Sequence, residues 1–287
     1  MNAANTLRAR LKQPGLITAP GIYDMISARI AERMGFPALY MTGFGVVASY
    51  LGLPDAGLAT YTDMVGRVGQ ICGIAKTPLI ADADTGYGGL LNVARTVQGY
   101  IAAGAAAIQI EDQEFPKKCG HTPGRRVVPP EDMVKKIRVA VEARGDHGIL
   151  IIARTDARTG YGLDEALRRG EAYAKAGADI LFIESPESEQ EMERICASFD
   201  LTLLANMVEG GKTPVLSAQR LGELGYRIAI FPATGFLAAG AALQSVYQTL
   251  RHDGSSVNAV TPLYPFADFA KLMDFEQVWE FERRHAD

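Results

Sequence analysis

Two aspartates stand two residues apart in Ala81–Asp82–Ala83–Asp84, directly after an apolar run. In an extended chain that spacing turns both carboxylates to one side. Similar endings recur along the sequence. Glu111 and Asp112 follow Ala107–Ile110, Arg154 and Asp156 follow Leu150–Ala153, and Glu184 follows Ile180–Ile183. Asn206, and then Glu209, follow Leu201–Ala205. A single charged residue at a strand end is as often solvated or paired as functional, but here the placement repeats on successive runs. Several carboxylates gathered in one mouth repel one another unless a cation offsets them. A hard divalent ion does so, and Mg²⁺ takes one or two carboxylates while keeping waters. Asp84 is therefore expected to bind metal, with Asp82 and Glu111 as supporting ligands.

A second group of chemical residues lies in 115–126, which reads Phe-Pro-Lys-Lys-Cys-Gly-His-Thr-Pro-Gly-Arg-Arg. It is basic, interrupted by proline and glycine, and too irregular for a helix. Such a segment suggests a mobile lid with a cationic face. Cys119 stands between Lys118 and His121, where positive neighbours favour the thiolate. Cys72 and Cys196 fall in helical patterns and read as inert core residues. Zinc is excluded for Cys119 and His121, because no other Cys or His lies at ligand spacing. Thr85–Gly86–Tyr87–Gly88–Gly89 permits tight turns and backbone amides near an anion. It lacks the Gly-Lys-Ser/Thr of a nucleotide P-loop. The chain also has no Gly-x-Ser-x-Gly elbow and no His-Glu-x-x-His.

These residues need a scaffold that brings the ends of several strands together. Eight short apolar runs alternate with amphipathic stretches: Leu16–Ala19, Ala38–Met41, Leu79–Ala81, Ala107–Ile110, Leu150–Ala153, Ile180–Ile183, Leu201–Ala205 and Ile228–Phe231. Near-continuous apolar runs suit strands buried on both faces of a parallel sheet. Helical spacing appears in Asp24–Met34, Thr62–Ala75, Glu131–Arg144, Asp164–Ala176 and Ser188–Ser198. Gly104, Gly177 and Gly225 sit where a left-handed cap would lead into the next strand. Eight strand–helix units predict a closed (β/α)8 TIM barrel, whose chemistry lies at the C-terminal strand ends. A doubly wound sheet would want Gly-x-Gly-x-x-Gly after the first strand; Pro20–Gly21–Ile22–Tyr23 is not one. The expected organisation is a single barrel domain over 1–287. Within it, 253–287 forms a C-terminal helical extension whose aromatic residues pack on the barrel or on a neighbouring subunit.

The chain has 287 residues and a formal net charge of -4. That balance argues against a nucleic-acid or anionic-membrane surface. No apolar run approaches the roughly 18 residues of a membrane span. Three widely spaced cysteines fit no disulfide framework, so a reducing cytoplasm is expected.

Together, Ala81–Gly88, Ile110–Gln113 and Lys117–His121 resemble the isocitrate lyase / phosphoenolpyruvate mutase superfamily, and the similarity runs from about Leu7 to Arg251. The Lys-Lys-Cys-Gly-His segment is similar to that of its carbon–carbon lyase branch, the 2-methylisocitrate and 2,3-dimethylmalate lyases. The resemblance implies Mg²⁺, with Mn²⁺ as an alternative, and a homotetramer with the eighth helix exchanged between subunits. It adds Asp55 to Asp84, Asp82 and Glu111 around the metal. Tyr40, Thr42, Gly43 and Phe44 match the loop that holds a keto-acid carboxylate, although Thr42 and Phe44 replace smaller residues. Arg154, Glu184 and Asn206, with Asp82, match substrate-binding positions. Cys119 matches the proton donor, with Lys117, His121 and Arg154 offsetting charge on the dianion. The implied reaction cleaves a 2-hydroxy di- or tricarboxylate to an α-keto acid, such as pyruvate, and propionate or succinate. The stretch Asn206–Pro214 looks more like the dimethylmalate lyases. Alternatives are oxaloacetate decarboxylation or hydrolysis and, against the cysteine motif, phosphonate mutation.

Overall fold

The structure, a computed structural model, describes all residues except Met1, His121, Pro123 and Asp287. It divides into two compact units, 1–234 and 235–287.

The first unit is a closed barrel of eight parallel strands in sequence order. Its first half contains α1 (Ala3–Leu11), β1 (Ile17–Ile22), α2 (Met25–Arg33), β2 (Leu39–Met41), α3 (Gly43–Val46), α4 (Tyr61–Ile74), β3 (Leu79–Asp82), α5 (Leu90–Ala103) and β4 (Ala107–Glu111). The second half contains α6 (Pro130–Arg144), β5 (Leu150–Thr155), α7 (Ala157–Tyr161), α8 (Leu163–Lys175), β6 (Ile180–Ile183), α9 (Glu189–Ser198), β7 (Thr202–Asn206), α10 (Ala218–Leu224) and β8 (Ile228–Phe231). β8 closes on β1, pairing Ile17 with Ile228 and Pro20 with Phe231. β1 thus continues through the proline at which the sequence reading ended it. Tertiary pairing overrides a local breaker here.

Local signals place the helices. Asp24 and Thr60 cap α2 and α4 with reciprocal capping boxes. Pro130 opens α6 at a position where its missing N–H is no loss. The three cap glycines have φ of 97°, 105° and 115°, a region costly for any residue with a Cβ.

Two apolar cores follow from strand alternation. One lies between strands and helices, and includes Leu79, Ala81, Ile108, Ile151, Ala153 and Leu181. The other fills the barrel, with Ile80, Ala107, Leu150, Ile152, Ile180, Phe182, Leu204 and Ile228. Ala4 and Leu7 of α1 belong to this inner core, so the N-terminal helix packs with the barrel filling. The barrel is a packed solid, with chemistry confined to one rim.

The second unit holds α11 from its second residue (Thr234–Asp253), α12 (Phe266–Leu272) and α13 (Phe275–His285). The sequence reading began the extension at 253. The second compact unit spans 235–287, and its twenty-residue α11 buries none of its residues. No helix among the described residues is long and apolar enough to cross a membrane.

Candidate active site

Alternation along each strand decides which residues face the barrel axis. Ile80, Ala107, Ile152, Phe182 and Leu204 are inner-core residues. Two or four positions further along stand Asp82, Glu111, Arg154 and Asn206 on the same strands, and Glu184 one residue past the end of β6. All five are buried. Asp112 falls on the opposite parity and serves the outer layer. Its carboxylate accepts from Thr155 Oγ1 and Tyr173 OH at 2.7 Å, from Arg169 at 3.0 Å and from the Asp156 amide at 2.9 Å. Adjacent carboxylates in the sequence thus have separate duties.

Asp82 and Asp84 do come together, but not by the route their spacing suggested. Asp84 has φ 48°, so the chain is not extended there. β3 ends at Asp82, and the Asp84 amide turns back to donate to Asp82 Oδ1 at 3.0 Å. Gln109 Nε2 donates to the same oxygen at 3.3 Å, and Tyr40 OH donates to Gln109 at 3.2 Å. A Cβ on Gly43 would lie 2.5 Å from Asp82 Oδ2 and 3.6 Å from Asp84 Oδ1. Only a glycine lets the chain after β2 approach both carboxylates. Thr42 is buried at the same place, and Phe44 is partly exposed.

The left-handed turn is held from behind. Tyr100 donates to the Asp82 carbonyl at 2.9 Å and lies 3.1 Å from Tyr87 OH. With its proton committed, Tyr100 accepts from Tyr87, which itself has φ 58°. Tyr100→Phe leaves a buried carbonyl and a buried hydroxyl without their partner. The expected cost is about 1–3 kcal/mol, seen as a lower urea midpoint at unchanged m-value. An unchanged midpoint would show that the tyrosine pair does not support the turn.

The loop after β4 closes over this cluster. A bridge between Gln113 and Val127 joins its two ends. Lys117 is buried, and its ammonium lies 2.6 Å from Asp55 Oδ1 and 2.7 Å from Asp84 Oδ1. Asp55 also receives the Cys119 amide on its carbonyl at 3.2 Å. This bond ties the half-buried Cys119 to the segment that carries Asp55. Gly120 lies against the Arg154–Glu184 pair: a Cβ there would be 2.3 Å from Arg154 Nη2 and 3.0 Å from Glu184 Oε2. His121 lies outside the described residues.

Electrostatics follow from this packing. Burial raises Asp84 from the ordinary 3.8 to about 7, with Asp82 and Asp55 adding to the rise and Lys117 opposing it. Burial likewise raises Glu111 well above the carboxylate range against the pull of Arg154. Burial would lower Lys117, but Asp84 and Asp55 reverse this and keep it charged. Arg154 is shared among Asp156 at 2.9 Å, Glu184 at 3.3 Å and Glu111 at 3.4 Å. Asn206 donates to Glu184 at 3.0 Å. Burial pushes Cys72 up to about 11 and Cys196 up to about 12, in keeping with inert helical thiols.

The donor set bears on a metal. Among the described residues, no three His, Cys, Asp or Glu side chains converge as a direct chelate. A water-rich Mg²⁺ needs only one or two carboxylates. Glu111 Oε1 is buried with no hydrogen-bond partner among the described residues. Asp84 carries a burial-raised pKa and meets a cation already. An oxygen-bound divalent ion fits such groups.

Sequence reasoning missed Tyr100, Gln109, Arg125 and the role of Asp156. Gln109 had a visible signal, a polar residue inside an apolar run. The others meet their partners only across the fold.

A barrel whose inner strand ends carry carboxylates, one arginine and a cysteine-bearing loop defines a class, and comparison identifies it. The phosphoenolpyruvate phosphomutase family model matches residues 7–251, and the chain belongs to that family, within the phosphoenolpyruvate mutase / isocitrate lyase superfamily. It is 48% identical over 286 residues to a 2,3-dimethylmalate lyase of Eubacterium barkeri, covering 100% of this chain and 99% of the relative. It is 43% identical to a 2-methylisocitrate lyase of Aeropyrum pernix, covering 98% and 89%. Among solved structures it is similar to oxaloacetate acetylhydrolase bound to 3,3-difluorooxalacetate, with TM-score 0.93, 36% identity and coverage of 98% and 96%. It is also similar to phosphonopyruvate hydrolase in complex with oxalate and Mg²⁺, with TM-score 0.89, 32% identity and coverage of 100% of each chain.

Proposed function

We propose that this protein is a Mg²⁺-dependent lyase that cleaves a carbon–carbon bond of a 2-hydroxy di- or tricarboxylate of the 2,3-dimethylmalate or 2-methylisocitrate type. The products are an α-keto acid such as pyruvate and propionate or succinate. One observation carries the reading: the Cys119 loop is seated on the same buried cluster of Asp55, Asp84 and Lys117 that could take a metal and a carboxylate substrate.

Asp84 would hold the ion most directly, with Asp82, Asp55 and Glu111 around its waters. Bound there, Mg²⁺ supplies positive charge to the oxygens of the hydroxy acid. Tyr40, Thr42, Gly43 and Phe44 line the carboxylate end, and Glu184 and Asn206 the far end. A general base takes the hydroxyl proton, the keto C=O forms as the carbon–carbon bond breaks, and the bonding pair leaves on the departing carboxylate as a dianion. Preorganised cations in a dry site stabilise such charge far better than water does. Arg154 and Lys117 stand there already, and His121 follows Gly120 in the loop. Cys119 then protonates the new carbanion carbon.

The test is keto-acid release from 2,3-dimethylmalate, 2-methylisocitrate, isocitrate and oxaloacetate with Mg²⁺, with and without chelator. Pyruvate from one hydroxy acid, lost on chelation, is expected. A second reading, oxaloacetate decarboxylation or hydrolysis, is favoured by the likeness to oxaloacetate acetylhydrolase. Turnover of oxaloacetate alone would establish it and overturn the lyase.

The Asp84 shift gives a pH prediction. Below about 7 its carboxyl holds a proton that a cation must displace. Mg²⁺ affinity should rise by up to about tenfold per pH unit below 7 and level off above it. Calorimetry in buffers of different ionisation enthalpy should show a proton released at pH 6 and little at pH 8; equal release at both would exclude Asp84. Without metal the sign reverses for stability. The raised pKa favours the fold at low pH, and that contribution is lost as pH rises through about 7.

The assembly in this proposal is a homotetramer with α11 exchanged. It is supported by a helix that buries none of its residues and exposes Leu237, Leu243, Tyr247 and Leu250. Light scattering at four chain masses is expected. A cytoplasmic location is supported by three free cysteines.

A further inference from the structure

Asp156 sits between two cations from different parts of the fold. Arg154, at the inner end of β5, donates from Nε to Asp156 Oδ2 and from Nη2 to Oδ1, both at 2.9 Å. Arg125, at the far end of the loop after β4, donates from Nη1 to the same Oδ1, and from Nη2 to Thr159 Oγ1 at 2.6 Å. The Arg125 and Asp156 side chains are 2% and 0% exposed, so this is an interior contact, not a surface pair. The carboxylate is anchored through its own backbone, because the Asp156 amide donates to the fully satisfied Asp112. Burial opposes the Asp156 charge, but Arg154 and Arg125 together hold its carboxyl below the ordinary range. On its other side Arg154 meets Glu111 and Glu184 and lies 5.0 Å above the Phe182 ring.

The charge count sets the consequence. With Arg125 in place, two guanidinium groups share the Asp156 carboxylate, while Arg154 also faces Glu111 and Glu184. Without Arg125, Asp156 draws its neutralising charge from Arg154 alone. Arg154 then has less charge to offer an incoming carboxylate. Arg125 itself is spent on Asp156 and Thr159, away from the carboxylates of the metal cluster.

Resting on the carboxylate-lyase reading above, we propose that Arg125 is a positioning residue that acts through Asp156 on Arg154. The seating of the loop after β4 and the readiness of the substrate-facing guanidinium are then one linked equilibrium. Linkage is reciprocal. A dianion bound at Arg154 must also favour the seated loop.

The test uses the full chain in Mg²⁺ with oxalate as the probe, and compares Arg125→Ala, Arg125→Lys and Arg126→Ala. Arg126 has the same charge and lies in the same loop, but it pairs with Glu114 at 2.8 Å with its side chain 76% exposed. Oxalate Kd should rise about tenfold in Arg125→Ala, in the range for a coupling that acts on the ligand through another residue, and less than about twofold in Arg126→Ala. Arg125→Lys, which returns an ammonium to Asp156, should recover most of the loss. Trypsin cleavage after the exposed Lys118, followed by mass spectrometry, reads the loop. Oxalate should protect the wild type and Arg126→Ala, and should fail to protect Arg125→Ala. Equal losses in the two alanine variants would reduce Arg125 to general electrostatic attraction and overturn the proposal, as would retained protection in Arg125→Ala. If wild type binds no oxalate, the Mg²⁺–carboxylate reading fails. In that case the ligand-free cleavage rate decides the latch: faster in Arg125→Ala supports it, and unchanged overturns it.

Discussion

Cys119→Ala is expected to lower kcat for the hydroxy-acid substrate by about 10²–10⁴-fold, the range for removing a positioned general acid. The melting temperature should stay close to that of wild type, since the side chain is only partly buried and lies in a loop. Its position is set by its backbone: the Cys119 amide donates to Asp55, and the Cys119 carbonyl accepts from Thr122 Oγ1 at 2.7 Å. Alanine keeps both backbone bonds, so the change removes the thiol and leaves the backbone where it is. In D2O the wild type should place one deuterium on the carboxylate product, and the alanine variant should be slowed at that same protonation step. Oxaloacetate turnover provides the contrast. Oxaloacetate cleavage or decarboxylation also leaves an enolate carbon that must be protonated, so a variant inert on hydroxy acids but active on oxaloacetate would show that water can supply that proton there, and would separate the two reactions. Full activity of Cys119→Ala on the hydroxy acid would remove the thiol from the mechanism.

Gly120→Ala should cost about 10²-fold in kcat/KM, the scale of a small misplacement in a preorganised site. The added methyl would fall 2.3 Å from Arg154 Nη2. A free arginine tip would swing aside at little cost, but this one is fixed by Asp156 and Glu184 at 2.9 and 3.3 Å. Either Arg154 gives up those partners or the loop rises from the rim. Gly120 is absent from the positive-φ residues, so the effect is steric contact and not backbone strain. Stability should hardly change, because among the described residues of the loop only Val127 and Val128, at its end, join the apolar core between strands and helices. Increased trypsin cleavage after Lys118, alongside the lost activity, would identify a raised loop. Wild-type kinetics would mean that the loop is not seated on Arg154 during turnover.

Much of the site was legible because a barrel strand is a ruler. An apolar run buried on both faces announces a parallel strand, and the polar residue that ends it announces the rim. Asp82, Glu111, Arg154, Glu184 and Asn206 were all found that way. The repeated glycine stops marked the helix ends for an equally local reason, the left-handed cap. The family likeness added Asp55 and Gly43, which no periodicity could reach, because both lie in the segment between β2 and β3, outside any strand.

The sequence by itself determined the eight strand–helix units, the rim where the polar strand ends gather and the cysteine loop beside it. These depend on alternation and helical spacing, which act within a few residues of the chain. Only the tertiary structure decided the partners. It bent Asp84 into a left-handed turn, joined Lys117 to an aspartate sixty-two residues away, and gave Asp112 to the outer layer while its neighbour Glu111 faced the axis. It also set Arg125 and Arg154 on one carboxylate. Charge neutralisation in a buried space is a property of the whole packing, because the low dielectric makes each pairing depend on every other charge enclosed with it.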